Sequence, residues 1–420
     1  MNKAMQQGAS SEEAQDFRPA SSQAPCEHSS NRKAPTVAEI CTKLADMGIN
    51  IGFDRLENRP MKTGPLPWDE SDAIRRITDV DDIRLFALLQ ETVGLRKKAD
   101  LDMALTIYCD DNAYDPLQDM LNALKWDGVE RAESLFVDYL GAADTPYTHA
   151  ATSTFLSEAV ARAFHPGVKA DYMPILVGPG GIGKSSLVRA LAVEERFFTD
   201  SIKNLGNVKK TGEDNDGKWI AELPELSGMS GRSLEGVKAG ITRQADEYRE
   251  SYARRTASHP RRVVYIGTTN EAGFIRERTS GARRFLPILC AVVEPTKDLF
   301  ACDAKAEMKQ VWAEVKTWME QEDSRFSTVL DREMEVEAAN QRACFMDEDP
   351  REQIINAYLA ENDDHLVCTF EIIDKALHMD RSAALCKEVG SILSSRCPGW
   401  VLAGKRLCGA YGKQRCWEKR

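Results

Sequence analysis

Apolar positions first recur at helical spacing at Val37, Ile40, Cys41, Leu44 and Met47. Thr36-Val37-Ala38-Glu39 opens this run with the spacing of a capping box, and Gly48 closes it. The preceding stretch, 1–35, is rich in Ser, Ala, Gln and Pro with Phe17 its only aromatic, and predicts a disordered tail. Gly52 to Pro67 carries Pro60, Pro65 and Pro67 and predicts a loop. Beyond Trp68, Asp69 or Ser71 is positioned to cap a helix containing Ile74 and Ile77. Helical patterns follow over Val80–Val93, Leu101–Asp110, Pro116–Ala123, Ser134–Leu140 and Thr148–Phe164, the last stopped by His165-Pro166-Gly167. Trp126 is expected against the core beside a turn at Gly128. A mostly helical N-terminal domain over 36–170 is expected.

From Asp171 the pattern changes to short apolar runs alternating with helices, the mark of an α/β core. Ile175–Val177, Trp219–Leu223, Val263–Ile266 and Phe285–Leu289 read as its strands. Met308, Val311, Trp312, Val315 and Met319 then form one stripe of a core helix. An acidic stretch before Pro350 ends the domain, expected over 171–345. In 350–420, helices over Phe370–Leu377 and Ser382–Leu393 precede two short strands around Trp400–Leu402 and Cys416–Trp417. Helix, turn, helix and hairpin is the order of a winged helix.

Composition changes this picture in two places. The chain of 420 residues carries a net charge of −11, yet Arg381–Arg420 holds nine Lys or Arg against two Glu. That asymmetry points to a local nucleic-acid contact rather than a uniformly basic surface. The 11 cysteines lack the Cys-x2-Cys spacing of a zinc site and read as buried, reduced thiols. No apolar run reaches the roughly 18 residues of a membrane span, and the opening residues do not have the form of a secretory signal. No membrane association and a cytoplasmic location are expected.

The densest chemistry lies at Gly178-Pro179-Gly180-Gly181-Ile182-Gly183-Lys184-Ser185, between a predicted strand and a predicted helix. This is Walker A spacing, and with Ser186 it predicts a nucleotide-binding loop. Glycines let successive N–H groups curl around phosphate, and the helix adds its positive end. Lys184 suits the β and γ phosphates of ATP, and Ser185 suits Mg²⁺. Glu222 is the first choice for the metal side and Glu225 for orienting water. Asn270, at the tip of the Val263–Ile266 strand, suits sensing of the γ-phosphate. Arg284, with Arg283 as fallback, suits an arginine finger reaching a neighbouring subunit. Arg243, Arg249, Arg254, Arg255, Arg261 and Arg262, interleaved with Tyr248 and Tyr252, fit either a single-stranded DNA channel or a subunit interface.

These residues, with Lys125-Trp126-Asp127-Gly128, Tyr139-Leu140-Gly141 and Gly281 through Pro287, resemble the virulence-associated protein E family of P-loop ATPases found in phages and mobile islands. The resemblance covers roughly residues 105–300. It implies an α/β P-loop ATPase core like that of AAA+ proteins and superfamily 3 replicative helicases, with Glu222 and Glu225 at the Walker B position. Asn270 stands at sensor 1 and Arg284 at the finger. The implied protein is an ATP- and Mg²⁺-dependent DNA helicase or replication-initiation ATPase of a phage or mobile element. It would be a homo-oligomer, with a hexameric ring as the expected form, acting on single-stranded DNA in a central channel and alongside replication proteins. An ATPase that loads or remodels a protein, and a nucleotide-binding DNA-binding regulator, remain the alternatives.

Overall fold

A computed structural model describes residues 34–202, 205–226, 231–249, 256–271, 280–301, 304–345, 350–361, 366–395, 397 and 399–420. The tail expected over 1–35 therefore lies almost wholly outside the described residues. The chain divides into two units, Met1–Ile51 with Lys62–Asp111, and Gly52–Met61 with Asn112–Arg420.

In the first unit the helix Val37–Asp46 begins at Thr36, whose hydroxyl accepts from the Glu39 N–H while the Glu39 carboxylate accepts from the Thr36 N–H. Such a reciprocal cap contributes about 1 kcal/mol. Ile40 and Leu44 are wholly buried, as the helical stripe requires. Tyr108, on the helix Lys98–Asp111, donates to the Ile49 carbonyl at 2.8 Å. The expected helix through Ile74 and Ile77 does not form. The buried Lys62 ammonium draws in the carbonyls of Ser71 and Ala73, and Arg75 pairs with Asp69 and Asp81. Carbonyls spent on a lysine are unavailable to a helix ladder, so Arg75–Arg76 is extended and Ile74 is half exposed. The next helix, Asp79–Val93, starts instead at a second capping box, Thr78 with Asp81.

Gly52–Pro67, expected as a loop, overlaps the strand Ile51–Asp54 and contains the strand Arg59–Lys62. Pro60 is tolerated there because its missing N–H costs little at an exposed position. In the second unit, Phe53 and Arg55 exchange backbone hydrogen bonds with Tyr114, which holds this stretch extended.

The second unit is built on a five-stranded parallel sheet. We number its strands β1 (Met173–Val177), β2 (Phe198–Thr199), β3 (Ile220–Leu223), β4 (Val264–Thr269) and β5 (Phe285–Leu289). Their spatial order is β5-β1-β4-β3-β2. β1 and β4 are buried along their whole length, which explains why they read as continuous apolar runs. The helix Pro146–Phe164 is buried almost throughout. Its many Ala, Ser and Thr residues allow close packing on every side. Trp219 donates its indole N–H to the Ala159 carbonyl, and its ring lies 4.3 Å from that of Trp312. The stripe Met308, Val311, Trp312 and Val315 on the helix Ala304–Glu320 is core, as its spacing predicts. Trp126 is only half-buried and donates to the Val129 carbonyl, so its expected core position is not met.

Glu158 lies in the middle of the buried helix. One of its oxygens accepts from the N–H groups of Asp171 and Tyr172 just ahead of β1. Burial pushes its carboxyl from 4.5 up to about 8. Because the folded value lies above the unfolded one, the associated stability is complete below about 4.5 and is lost as pH rises toward 8. Glu158→Gln keeps the shape and removes the titration. Denaturant unfolding of both proteins at pH 5 and pH 8 is expected to show the variant gaining on the wild type by a few kcal/mol over that interval. A constant difference would mean that Glu158 is ionised in the folded chain.

The C-terminal part begins with the helix Pro350–Glu361. The strand Leu366–Cys368, helical turns over Thr369–Leu377, and the helix Ala383–Ser395 follow. The strands Trp400–Leu407 and Lys413–Lys419 then pair antiparallel, and Leu366–Cys368 pairs with the other edge of Lys413–Lys419. A separate apolar cluster including Ile355, Val367, Ile372, Val389, Leu393 and Trp417 holds this part together.

Candidate active site at the ends of the parallel strands

The register places Val177 opposite Thr269 and Leu223 opposite Gly267, so the carboxyl ends of β1, β3 and β4 share one edge of the sheet. Crevices beyond such ends are the usual ligand sites of open parallel sheets. β1 runs into the loop 178–183, and the helix Lys184–Leu191 follows. Gly181 and Gly183 take φ of +85° and +93°, conformations that a side chain would strain. Pro179 and Gly180 are exposed, whereas Ile182 packs against the core and fixes the loop's root.

Lys184 is buried at the helix start, and its ammonium donates to the carbonyls of Gly178 and Pro179, both at 2.7 Å. Its third bond goes to Asn270 Oδ1 at 3.0 Å. Burial draws the Lys184 ammonium below its ordinary value, opposed by Cys290, Glu225 and Glu222. Ser185 donates to Glu222 Oε1 at 2.6 Å, and Thr268 donates to the same oxygen at 2.7 Å. Glu222 is thereby fixed in a buried position facing the helix start. Glu225 sits two residues past β3 with φ +53°, an uncommon conformation for a non-glycine residue, and its carboxylate is 3.4 Å from the Asn270 amide.

The structure thus brings Lys184, Ser185, Glu225 and Asn270 to the lining of one cleft of about 300 Å³, with Gly180, Gly181, Gly183 and Ser186, while Glu222 is buried against Ser185. Pro224, Thr268, Thr269 and Phe300, to which the sequence assigned no role, complete the lining. Thr268 was visible as a polar residue at the end of an apolar strand. Phe300 lines the cleft with 77% of its surface exposed, and nothing in the local sequence marks it.

Arg283 and Arg284 are elsewhere. They precede β5, whose first residue, Phe285, lies opposite Met173 at the start of β1. Four residues of strand separate that edge from Val177, about 13 Å at 3.3 Å per residue. They line a second depression with Lys169, Tyr172 and Glu335. Among the described residues neither guanidinium forms an ion pair, and the Arg284 Nε–H is buried without a partner.

The proposed cation channel is corrected in part. Arg261 grips Asp246 with two hydrogen bonds, of 2.6 and 2.8 Å, and both are buried. Arg243 joins the same carboxylate, and Arg262 pairs with Asp115. Tyr248 is buried, donates to Asp216 and stacks on His259 at 4.1 Å. These groups stabilise the interior across the hairpin Ala245–Tyr248 and Ala257–Pro260, and are not available to a DNA strand. Arg249 is exposed, while Tyr252, Arg254 and Arg255 lie outside the described residues.

Residues 121–347, more than half of the chain, match the model of the virulence-associated protein E-like domain. The chain belongs to that family. No curated protein matches it by sequence. Among solved structures, the apo NrS-1 C-terminal region (305–718) is similar at 15% identity and a TM-score of 0.45, with 86% of each chain covered. Its A form is similar at 13% identity and a TM-score of 0.49, covering 92% of this chain and 100% of that one. Within the virulence-associated protein E-like domain of this chain fall β1 to β5, the glycine-rich loop and the whole cleft. Among the described residues, no helix is long and apolar enough to cross a membrane.

Proposed function

We propose that this chain is an ATP hydrolase of the P-loop, AAA+-like kind, working on DNA as a helicase or replication-initiation ATPase. The observation that carries the reading is the convergence of Lys184, Ser185, Glu222 and Asn270 at the carboxyl edge of a parallel sheet, on a glycine-rich loop and a helix start. Backbone N–H groups of 178–185 cradle the phosphates, and Lys184 exchanges its carbonyl and Asn270 partners for β and γ oxygens. The oxygen donors Ser185 and Glu222 fit Mg²⁺, a hard cation that would neutralise phosphate charge when bound. Ser185 faces the ion, and Glu222, steadied by Thr268, orients its shell. Glu225 and Asn270 hold the attacking water and the γ-phosphate in line. Arg284 completes the site of the next subunit, which makes the working enzyme a homo-oligomer.

The DNA reading rests on the C-terminal part, read as a winged helix. Lys405, Arg406, Lys413 and Arg415 are exposed along its hairpin. Such a row suits phosphate contacts rather than a folded interior. The deciding experiment is steady-state ATP hydrolysis with and without single-stranded DNA at fixed salt. Stimulation that falls as salt is raised is expected. Hydrolysis indifferent to DNA would move the reading to a protein-remodelling ATPase, and hydrolysis absent under all conditions would favour a nucleotide-binding regulator.

A further inference from the structure

The C-terminal sheet gathers side chains that lie far apart in sequence. Cys368 ends the strand Leu366–Cys368 and stands opposite Cys416 in the antiparallel register. Cys408 follows the strand Trp400–Leu407, at the root of the hairpin turn. All three are buried free thiols. Glu371, three residues past Cys368, is buried as well. The donor atoms of Cys368, Glu371 and Cys408 all lie within 4.8 Å of one another. Cys408 is 3.5 Å from Glu371 Oε2, and Cys416 packs in the same buried cluster as Cys368 and Cys408, its thiol near the carbonyls of Arg406 and Gln414.

The carboxylate is oriented from behind. Lys375 at 2.9 Å and the Tyr358 hydroxyl at 3.2 Å both donate to Glu371 Oε1, which leaves Oε2 facing the thiols. Outer groups that hold one oxygen and aim the other are typical of metal ligands. A π-helical stretch, Ile372–Leu377, begins immediately after Glu371, and such irregular turns recur where a side chain is aimed at a site.

We propose that Cys368, Glu371 and Cys408, with Cys416 as the fourth donor, form a zinc-binding site. Thiolates and a carboxylate suit zinc, and sulfur ligands at about 2.3 Å from one ion stand about 3.8 Å apart, within the observed cluster. Binding releases the thiol protons to solvent. The ion would tie the hairpin to the helical turn carrying Glu371, so it would set the position of the basic hairpin without taking part in the phosphate cleft.

The test uses the full chain, purified under reducing conditions. Elemental analysis is expected to find about one zinc per chain. The double variant Cys368→Ser with Cys408→Ser loses it, and Cys344→Ser, at an exposed position, keeps it. Cobalt(II) added to metal-free chain is expected to give a thiolate-to-cobalt charge-transfer band, which oxygen donors such as Ser185 and Glu222 cannot produce. If the double variant does not fold, weakening of that band in Cys416→Ser decides. Substoichiometric zinc with no cobalt band, or a band unchanged by these substitutions, overturns the proposal.

Discussion

Lys184→Ala is expected to lower steady-state ATP hydrolysis by about 10²–10³-fold, the range seen when a single preorganised donor to developing transition-state charge is removed. The physical case is specific to this lysine. Its ammonium is buried and all three of its donors are used, by two loop carbonyls and Asn270. It is therefore held at the helix start before substrate arrives, and reorganises little when phosphate replaces those partners. Nucleotide affinity is expected to fall as well, because on the proposed reading the same charge meets the triphosphate. Ser185→Ala separates the roles: it removes a donor to Glu222 and the oxygen proposed for Mg²⁺, so its deficit is expected to shrink as Mg²⁺ is raised. Phosphate release, titration with a fluorescent ATP analogue and a thermal melt check all three points. A fold intact by melting with turnover within twofold of wild type would place hydrolysis somewhere other than this cleft.

The phosphate-loop side of the cleft was legible from local sequence because its parts are local. A strand, a glycine-rich loop and a helix adjoin in the chain, so pattern and chemistry reinforce each other. Glu222 could be read as a polar residue within an apolar strand, and the structure adds its partners, Ser185 and Thr268. The same locality made the Thr36 and Glu39 cap readable. Features that depend on distant partners were not readable. The extended run before Arg75 follows from the Lys62 ammonium, nine residues ahead of the Ser71 carbonyl it binds. Arg261 resembles part of a DNA-binding row until Asp246, across a hairpin, is seen to hold it, together with Arg243 three residues before that carboxylate. The thiol cluster depends on strand register, which brings Cys368 opposite a residue 48 positions later. Spacing rules written for adjacent cysteine pairs cannot detect that arrangement.

Arg284→Ala is expected to reduce hydrolysis by about 10³-fold or more, in the range of arginine fingers, while leaving nucleotide binding nearly unchanged. Its own cleft is out of reach, since Arg284 precedes β5 at the opposite edge of the sheet. Truncation costs little stability, because no ion pair among the described residues holds this guanidinium and its Nε–H is already unpartnered. The decisive form of the experiment mixes two inactive proteins. A Lys184→Ala subunit keeps its finger, and an Arg284→Ala subunit keeps its phosphate site. In a head-to-tail assembly, random mixing in equal amounts rebuilds a competent site at about a quarter of the interfaces. Partial recovery of hydrolysis, growing with protein concentration, is therefore expected. A mixture that stays inactive while native mass spectrometry shows mixed oligomers would exclude action in trans. Arg283→Ala in the same assay then tells which of the two neighbouring arginines reaches across: recovery that survives its loss and fails without Arg284 assigns the finger to Arg284, and the reverse pattern assigns it to the exposed Arg283.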